Sequence, residues 1–179
     1  EDAVPWKKWP NRVLNVGPAH LLQSANMQNQ VDLLAERLDI EYIRIWSLFS
    51  QQMMFEPSKE FNFSFLDAVL DFCVDRRLKL HLDLAQRRDF SLASESSEIY
   101  SRDTPEQQNW FQLVDAFLHH IRLRYTERVV SQWVFEFSFY LNEPYDAENG
   151  LSDLEVWERG YALIKSVFPK ARVAGPGLI

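Results

Sequence analysis

Five short apolar segments alternate along this chain with stretches whose apolar residues recur every three or four positions. That alternation restricts the fold more than any other feature. The strand candidates are residues 12–16, 40–46, 78–84, 129–140 and 171–174. The third is the most regular, with Leu78, Leu80, Leu82 and Leu84 alternating against Lys79, His81 and Asp83. Half-buried strands show this pattern, and so do barrel strands with a polar lining near one end. Between the strands, Met27, Val31, Leu34 and Leu38 form one helical face, and Leu66, Val69, Leu70 and Cys73 another. Trp110, Leu113, Val114, Phe117 and Ile121 make a third face, and Trp157, Tyr161, Ile164 and Phe168 a fourth. Start signals agree: Asn62 or Ser64 for the second helix, Thr104-Pro105-Glu106-Gln107 for the third, and the capping box Ser152-Asp153-Leu154-Glu155 for the fourth. Strands alternating with amphipathic helices predict an α/β fold, a parallel sheet covered by helices.

The 179 residues, 46% of them hydrophobic, suffice for one domain with a sizeable core. No Gly/Ser linker divides them, so residues 1–179 are read as one domain with no second. Nineteen Lys and Arg against 26 Asp and Glu leave a net charge of −7, which argues against this stretch binding nucleic acid itself. Every apolar run is broken by a charge before about 18 residues, so no membrane span is expected. Cys73 is the single cysteine, which excludes a disulfide within the chain and favours a cytoplasmic location. GxGxxG, Walker, HExxH, CxxC and GxSxG patterns are all missing. His119 and His120 are adjacent and point about 100° apart on a helix, which suits a surface pair better than a metal site. Neither a cofactor nor a metal is expected.

Ligands of parallel α/β folds sit at the carboxyl ends of the strands. This rule selects residues 17–20, which include His20, then 46–51, 83–86 and 140–144. Asn142-Glu143-Pro144 is the most suggestive group. A Glu there could protonate a glycosidic oxygen while Asn142 holds a sugar hydroxyl, although the tripeptide also makes an ordinary strand-to-loop turn. Trp46 suits a stacking platform for a sugar ring or a plain rim position. Asp83 needs a partner if buried, either a ligand or an arginine such as Arg44.

The chain resembles glycoside hydrolase family 39, the β-xylosidase and α-L-iduronidase family, over nearly its whole length. The resemblance is carried by Tyr42-Ile43-Arg44-Ile45-Trp46 with Phe49 and Met53, and by Phe61-Asn62-Phe63-Ser64-Phe65-Leu66-Asp67. It continues through Trp110, Leu113-Val114, Arg124-Tyr125, residues 130–136 and residues 171–176. It implies a (β/α)8 barrel, a carbohydrate ligand, and retaining hydrolysis by an acid/base Glu after the fourth strand and a nucleophile Glu after the seventh. Such a barrel needs about 250 residues. The expected architecture is therefore the amino-terminal part of a TIM-type barrel, with about five parallel strands and four helices, whose nucleophile lies outside this chain. Open sheet edges would invite pairing with a second copy.

The active-site end departs from the family pattern. Members carry Trp-x-Phe-Glu, two residues, then Asn-Glu-Pro. Here Trp133-Val134-Phe135-Glu136 is intact, but five residues precede Asn142-Glu143-Pro144, three more than the pattern. Counted from the strand, the acid/base position falls on Tyr140. Counted from the tripeptide, it falls on Glu143, and the extra residues, about 10 Å of extended chain, must then be looped out. The count from the strand is preferred, which makes Tyr140 a ligand-binding candidate beside His20, Trp46 and Asp83. Trp46 replaces the family's His, and Asp83 stands where the family has Glu.

Certain bacterial AraC-type transcriptional regulators carry a family-39-like barrel, and this chain is similar to them at Trp6-Lys7-Lys8, Leu14-Asn15-Val16-Gly17 and Ile45-Trp46. That resemblance implies a sensory domain that binds a xyloside-like sugar or short oligosaccharide without hydrolysing it. DNA would be contacted only through a domain outside this chain. The alternative is a fragment of an active retaining β-xylosidase with Glu143 as general acid/base.

Overall fold

The computed structural model describes residues 12–54, 61–85, 105–139 and 153–178. Five strands, β1 (Val13–Pro18), β2 (Tyr42–Trp46), β3 (Lys79–Asp83), β4 (Val134–Phe139) and β5 (Arg172–Leu178), form one sheet. All four pairings are parallel and the spatial order equals the chain order, β1-β2-β3-β4-β5. The connecting helices are α1 (Ala25–Leu38), α2 (Ser64–Asp75), α3 (Pro105–Arg124), the single turn α4 (Glu127–Val130) and α5 (Asp153–Val167). A doubly wound sheet reverses its strand order part-way. This sheet never does, so it is wound in one direction, as a barrel wall is.

The two faces divide by the parity of the strand. Ile43, Ile45, Leu80, Leu82, Phe135 and Phe137 lie in one hydrophobic core with Val31, Leu66, Leu70, Phe117, Ile121 and Ile164 of the helices. The opposite face carries Tyr42, Arg44, Trp46, His81, Asp83, Glu136 and Ser138. It is concave: Arg172 Nη1 on β5 donates to the Tyr42 hydroxyl on β2 at 2.9 Å, although three strand spacings separate those strands, about 14 Å in a flat sheet.

The expected helices and strands are present in the expected order, with two shifts. Residues 129–133, read as part of the fourth strand, form the end of α4 and a turn, and β4 starts at Val134. Local bonds decide this: Val130 N donates to Thr126 O at 3.1 Å and Ser131 N to Glu127 O at 2.9 Å. A short apolar run suits a buried helical turn as well as a strand. The fifth strand runs beyond residue 174 to Leu178. At the second helix, Asn62 Oδ1 accepts from both Ser64 N (3.0 Å) and Ser64 Oγ (2.7 Å), an Asx turn ahead of α2. Thr104 and Ser152 lie outside the described residues.

Among the described residues no helix is long and apolar enough to cross a membrane. His119 is exposed, and His120 Nε2 donates to Asp67 Oδ1 at 2.7 Å between α3 and α2. No group of three or more His, Cys, Asp or Glu among the described residues is arranged to hold a metal.

Cys73 on α2 is buried, and burial pushes its thiol up to about 12. A thiol that protonated is a poor nucleophile. An aromatic disulfide reagent at pH 8 should therefore leave the native protein unlabelled over minutes and label one thiol at once in guanidinium chloride. Rapid labelling of the native protein would contradict this burial.

Candidate functional site

On the concave face the side chains stack in layers along the strands. Asn15, Arg44, His81, Val134 and Arg172 share one level of the register, and Asp83, Glu136 and Ala174 share a level nearer the carboxyl ends. Arg44 rises from the first level into the second. Its Nε donates to Glu136 Oε2 at 2.8 Å and its Nη2 to Glu136 Oε1 at 3.0 Å, a bidentate fork. Nη2 also lies 3.2 Å from Asp83 Oδ2 and 3.3 Å from Ser138 Oγ. His81 Nε2 sits 2.7 Å from Glu136 Oε2.

Asp83 is 1% exposed and is engaged on both oxygens. Oδ1 accepts from the backbone N–H of Ala85 (3.0 Å) and of Ser138 (3.3 Å), while Oδ2 accepts from Ser138 Oγ at 2.7 Å. Ser138 Oγ also lies 2.9 Å from Glu136 Oε1. The carboxyl ends of β3 and β4 are thus clipped together by one buried carboxylate. The partner expected for Asp83 is present, and it is Arg44.

Burial pushes the Glu136 carboxyl up, but hydrogen bonds from Arg44 and Ser138, the nearby Arg44 charge and the close approach of the His81 imidazole outweigh it. The carboxyl is held well below the usual carboxylate range. For Arg44, burial acts to lower the pKa, and Glu136 and Asp83 together raise it above its ordinary value. Glu136 and Arg44 therefore face each other as an ion pair at neutral pH, on the floor beneath the strand ends, with Asp83 beside them.

Trp46 ends β2 on the same face, half-buried. It lies over the β1 terminus: a Cβ on Gly17 would stand 3.9 Å from Trp46 Cζ2. Gly17 has a φ of +103° where β1 carries an extra residue against β2, between the pairs Asn15↔Arg44 and Gly17↔Ile45. A residue with a side chain would be strained there. This bulge leads into the 3₁₀ turn Ala19–Gln23, which holds His20. His20 Nδ1 is shielded from solvent and has no hydrogen-bond partner among the described residues. The structure thus brings Trp46 and Asp83 to the strand ends of the concave face, with His20 at the end of β1. Tyr140, Asn142 and Glu143 lie outside the described residues. Glu136, Ser138 and His81 were not singled out as site residues from the sequence. Their signal is the alternation of Glu136 and Ser138 with Phe135 and Phe137, which puts polar groups opposite the helices.

Residues 4–178 match the sequence profile of glycosyl hydrolases family 39. The chain belongs to that family. Its fold is similar to a family 39 β-xylosidase from Caulobacter crescentus, with a TM-score of 0.73 and 22% identity over 99% of this chain and 42% of that one. A family 39 enzyme from Xanthomonas axonopodis pv. citri gives 0.72 and 22%, over 98% of this chain and 37% of that one. A bacterial orthologue of human α-L-iduronidase gives 0.71 and 20%, over 97% and 28%. At such identities the likeness establishes a shared fold. This family 39 chain spans less than half the length of each of these proteins. No curated protein matches it.

Proposed function

We propose that this chain supplies the β1–β5 wall of a family 39 barrel that binds a xyloside-like sugar without hydrolysing it, as the sensory part of an AraC-type transcriptional regulator. The observation that carries the reading is the register of β4. Its pairs with β3, His81↔Val134 and Asp83↔Glu136, advance evenly. Against β5 the pairs go from Glu136↔Ala174 to Ser138↔Gly177, so the extra residue there belongs to β5. No residue of β4 is looped out before residue 140. This supports Tyr140, and not Glu143, as the residue at the family's acid/base position. An unperturbed phenol titrates near about 10, far from the value near neutrality that suits a general acid, yet it can still donate a hydrogen bond to a sugar. Whole-protein activity and DNA contact belong to parts of the protein outside this chain.

Isothermal titration of the full-length protein with xylose and xylobiose tests the reading, and binding of neither would overturn it. Trp46→Ala should weaken binding by about five- to tenfold, the loss of a stacked aromatic face worth roughly 1–1.5 kcal/mol. The sugar should also change the full-length protein's affinity for its promoter DNA. Turnover of a nitrophenyl xyloside, abolished by Glu143→Gln, would reject the non-hydrolysing part and favour an active β-xylosidase with Glu143 as general acid.

A further inference from the structure

We propose that Asp83 is a positioning residue of the sugar site: its carboxylate stands in for the backbone of β3 where that strand ends, and so fixes where β4 presents position 140 to the ligand. The proposal rests on the sugar-binding reading above and names what holds the ligand-binding candidate Tyr140 in place. The ladder between β3 and β4 closes at the pair Asp83↔Glu136, with Leu84 N donating to Glu136 O at 2.7 Å. Bonds to one neighbour recur at every second residue of a strand, so Ser138 is the next β4 residue to face β3. Its N–H donates to a side chain, Asp83 Oδ1, at 3.3 Å. The same oxygen accepts from Ala85 N at 3.0 Å, the Asx turn that leads the chain away from β3. Asp83 Oδ2 accepts from Ser138 Oγ at 2.7 Å. One fully buried side chain thus grips Ser138 at both N and Oγ, and Arg44 Nη2 at 3.2 Å steadies it.

The other side of β4 is irregular at the same level. Pairing with β5 passes from Glu136↔Ala174 to Ser138↔Gly177, and Gly175 between them has a φ of +108°. Ser138 therefore sits beside a bulge on one flank and past a strand end on the other. Asp83 is the support at that point. Only Phe139 separates Ser138 from Tyr140 in the chain, so a shift at Ser138 is passed on to position 140 with little backbone to absorb it. Groups that contact a ligand must be held within about 0.5 Å of their productive place.

Geometry and charge can be separated at this side chain. Asp83→Glu keeps a carboxylate beside Arg44 but moves the acceptor by about 1.5 Å, the length of one carbon–carbon bond, which exceeds that tolerance. Asp83→Asn removes the carboxylate but keeps Oδ1 where the N–H groups of Ala85 and Ser138 meet it. Positioning makes Glu the more harmful change for sugar binding and Asn the milder one. An ion pair with Arg44 as the whole role of Asp83 gives the opposite ranking.

The test is calorimetry with xylose on the full-length protein and on Asp83→Glu, Asp83→Asn, Tyr140→Phe and the double variant Asp83→Glu with Tyr140→Phe. Tyr140→Phe and Asp83→Glu should each weaken xylose by about two- to tenfold, the worth of one hydrogen bond. Asp83→Asn should weaken it less than Asp83→Glu does. The double variant should bind no more weakly than Tyr140→Phe alone, because Asp83 acts through that residue. Losses that multiply in the double variant are what a merely structural aspartate would give, and they overturn the proposal while leaving sugar binding intact. Unchanged affinity in Asp83→Glu or in Tyr140→Phe, or a greater loss in Asp83→Asn than in Asp83→Glu, overturns it equally. If Asp83→Glu does not fold, Ser138→Ala takes its place in the cycle with Tyr140→Phe, since it removes only the Oγ contact with Asp83 and Glu136. The same comparison of single and double variants then decides. Binding of no sugar by the unmodified protein overturns both this inference and the function on which it rests.

Discussion

Glu136→Gln is expected to cost about 3–5 kcal/mol of folding stability, the range for removing one partner of a buried ion pair. The substitution keeps the side chain's shape and removes its charge. Arg44 then loses its bidentate partner, and His81 and Ser138 lose the anion they both approach. Urea denaturation should show a lower midpoint with little change in slope. A loss below about 1 kcal/mol would mean that water screens the cluster as it screens surface pairs.

The same substitution carries a pH signature. Glu136 is held below its ordinary range in the folded protein, and an unfolded Glu titrates near about 4.3. Its contribution is therefore complete above that value and is lost as pH falls from there toward the depressed folded value. The stability curves of the unmodified protein and Glu136→Gln should lie well apart at pH 7 and converge as the medium becomes more acid. Parallel curves through that window would assign the acid sensitivity to other carboxyls.

Gly160→Ala should also destabilise, against the usual trend. In a helix interior Ala is ordinarily favoured over Gly by about 1 kcal/mol. Gly160 is buried in α5, however, and an added Cβ would stand 2.4 Å from two carbons of the Phe137 ring. Phe137 is 1% exposed in β4. Overpacking of this kind costs about 1–3 kcal/mol, so the net effect should be a loss of up to about 2 kcal/mol between these opposing terms. Adding Phe137→Leu should make the Gly160→Ala change less harmful than it is alone, a coupling measurable in a double-mutant cycle. A higher melting temperature for Gly160→Ala would show that the ring moves aside freely.

Much of the architecture was legible because β1–β3 and the long helices carry their own periodicity. In β3 the alternating leucines name the helix-facing side without any knowledge of the partners. The stretch before β4 was harder. Val129 and Val130 favour strands by type, but bonds back to Thr126 make them helical, and hydrophobicity does not distinguish the two outcomes over so few residues. At the site, the reasoning that a buried Asp83 requires a partner led to Arg44 correctly. Glu136 was hidden because it sits between phenylalanines in an apolar run, and because its partner is 92 residues away in the chain. Local patterns cannot show a bond of that span; only the register of three adjacent strands does.

The Tyr42–Arg172 hydrogen bond has a consequence for how assembly can be followed. Each strand of this sheet pairs with the one before it in sequence, so pairing can propagate from β1 onward through comparatively short separations. The bond from β2 to β5 instead skips two strands. It can form only once β3 and β4 are in place and the sheet has curled. The Tyr42 hydroxyl is thus a natural reporter of completed curvature, distinct from probes that register the docking of single helices.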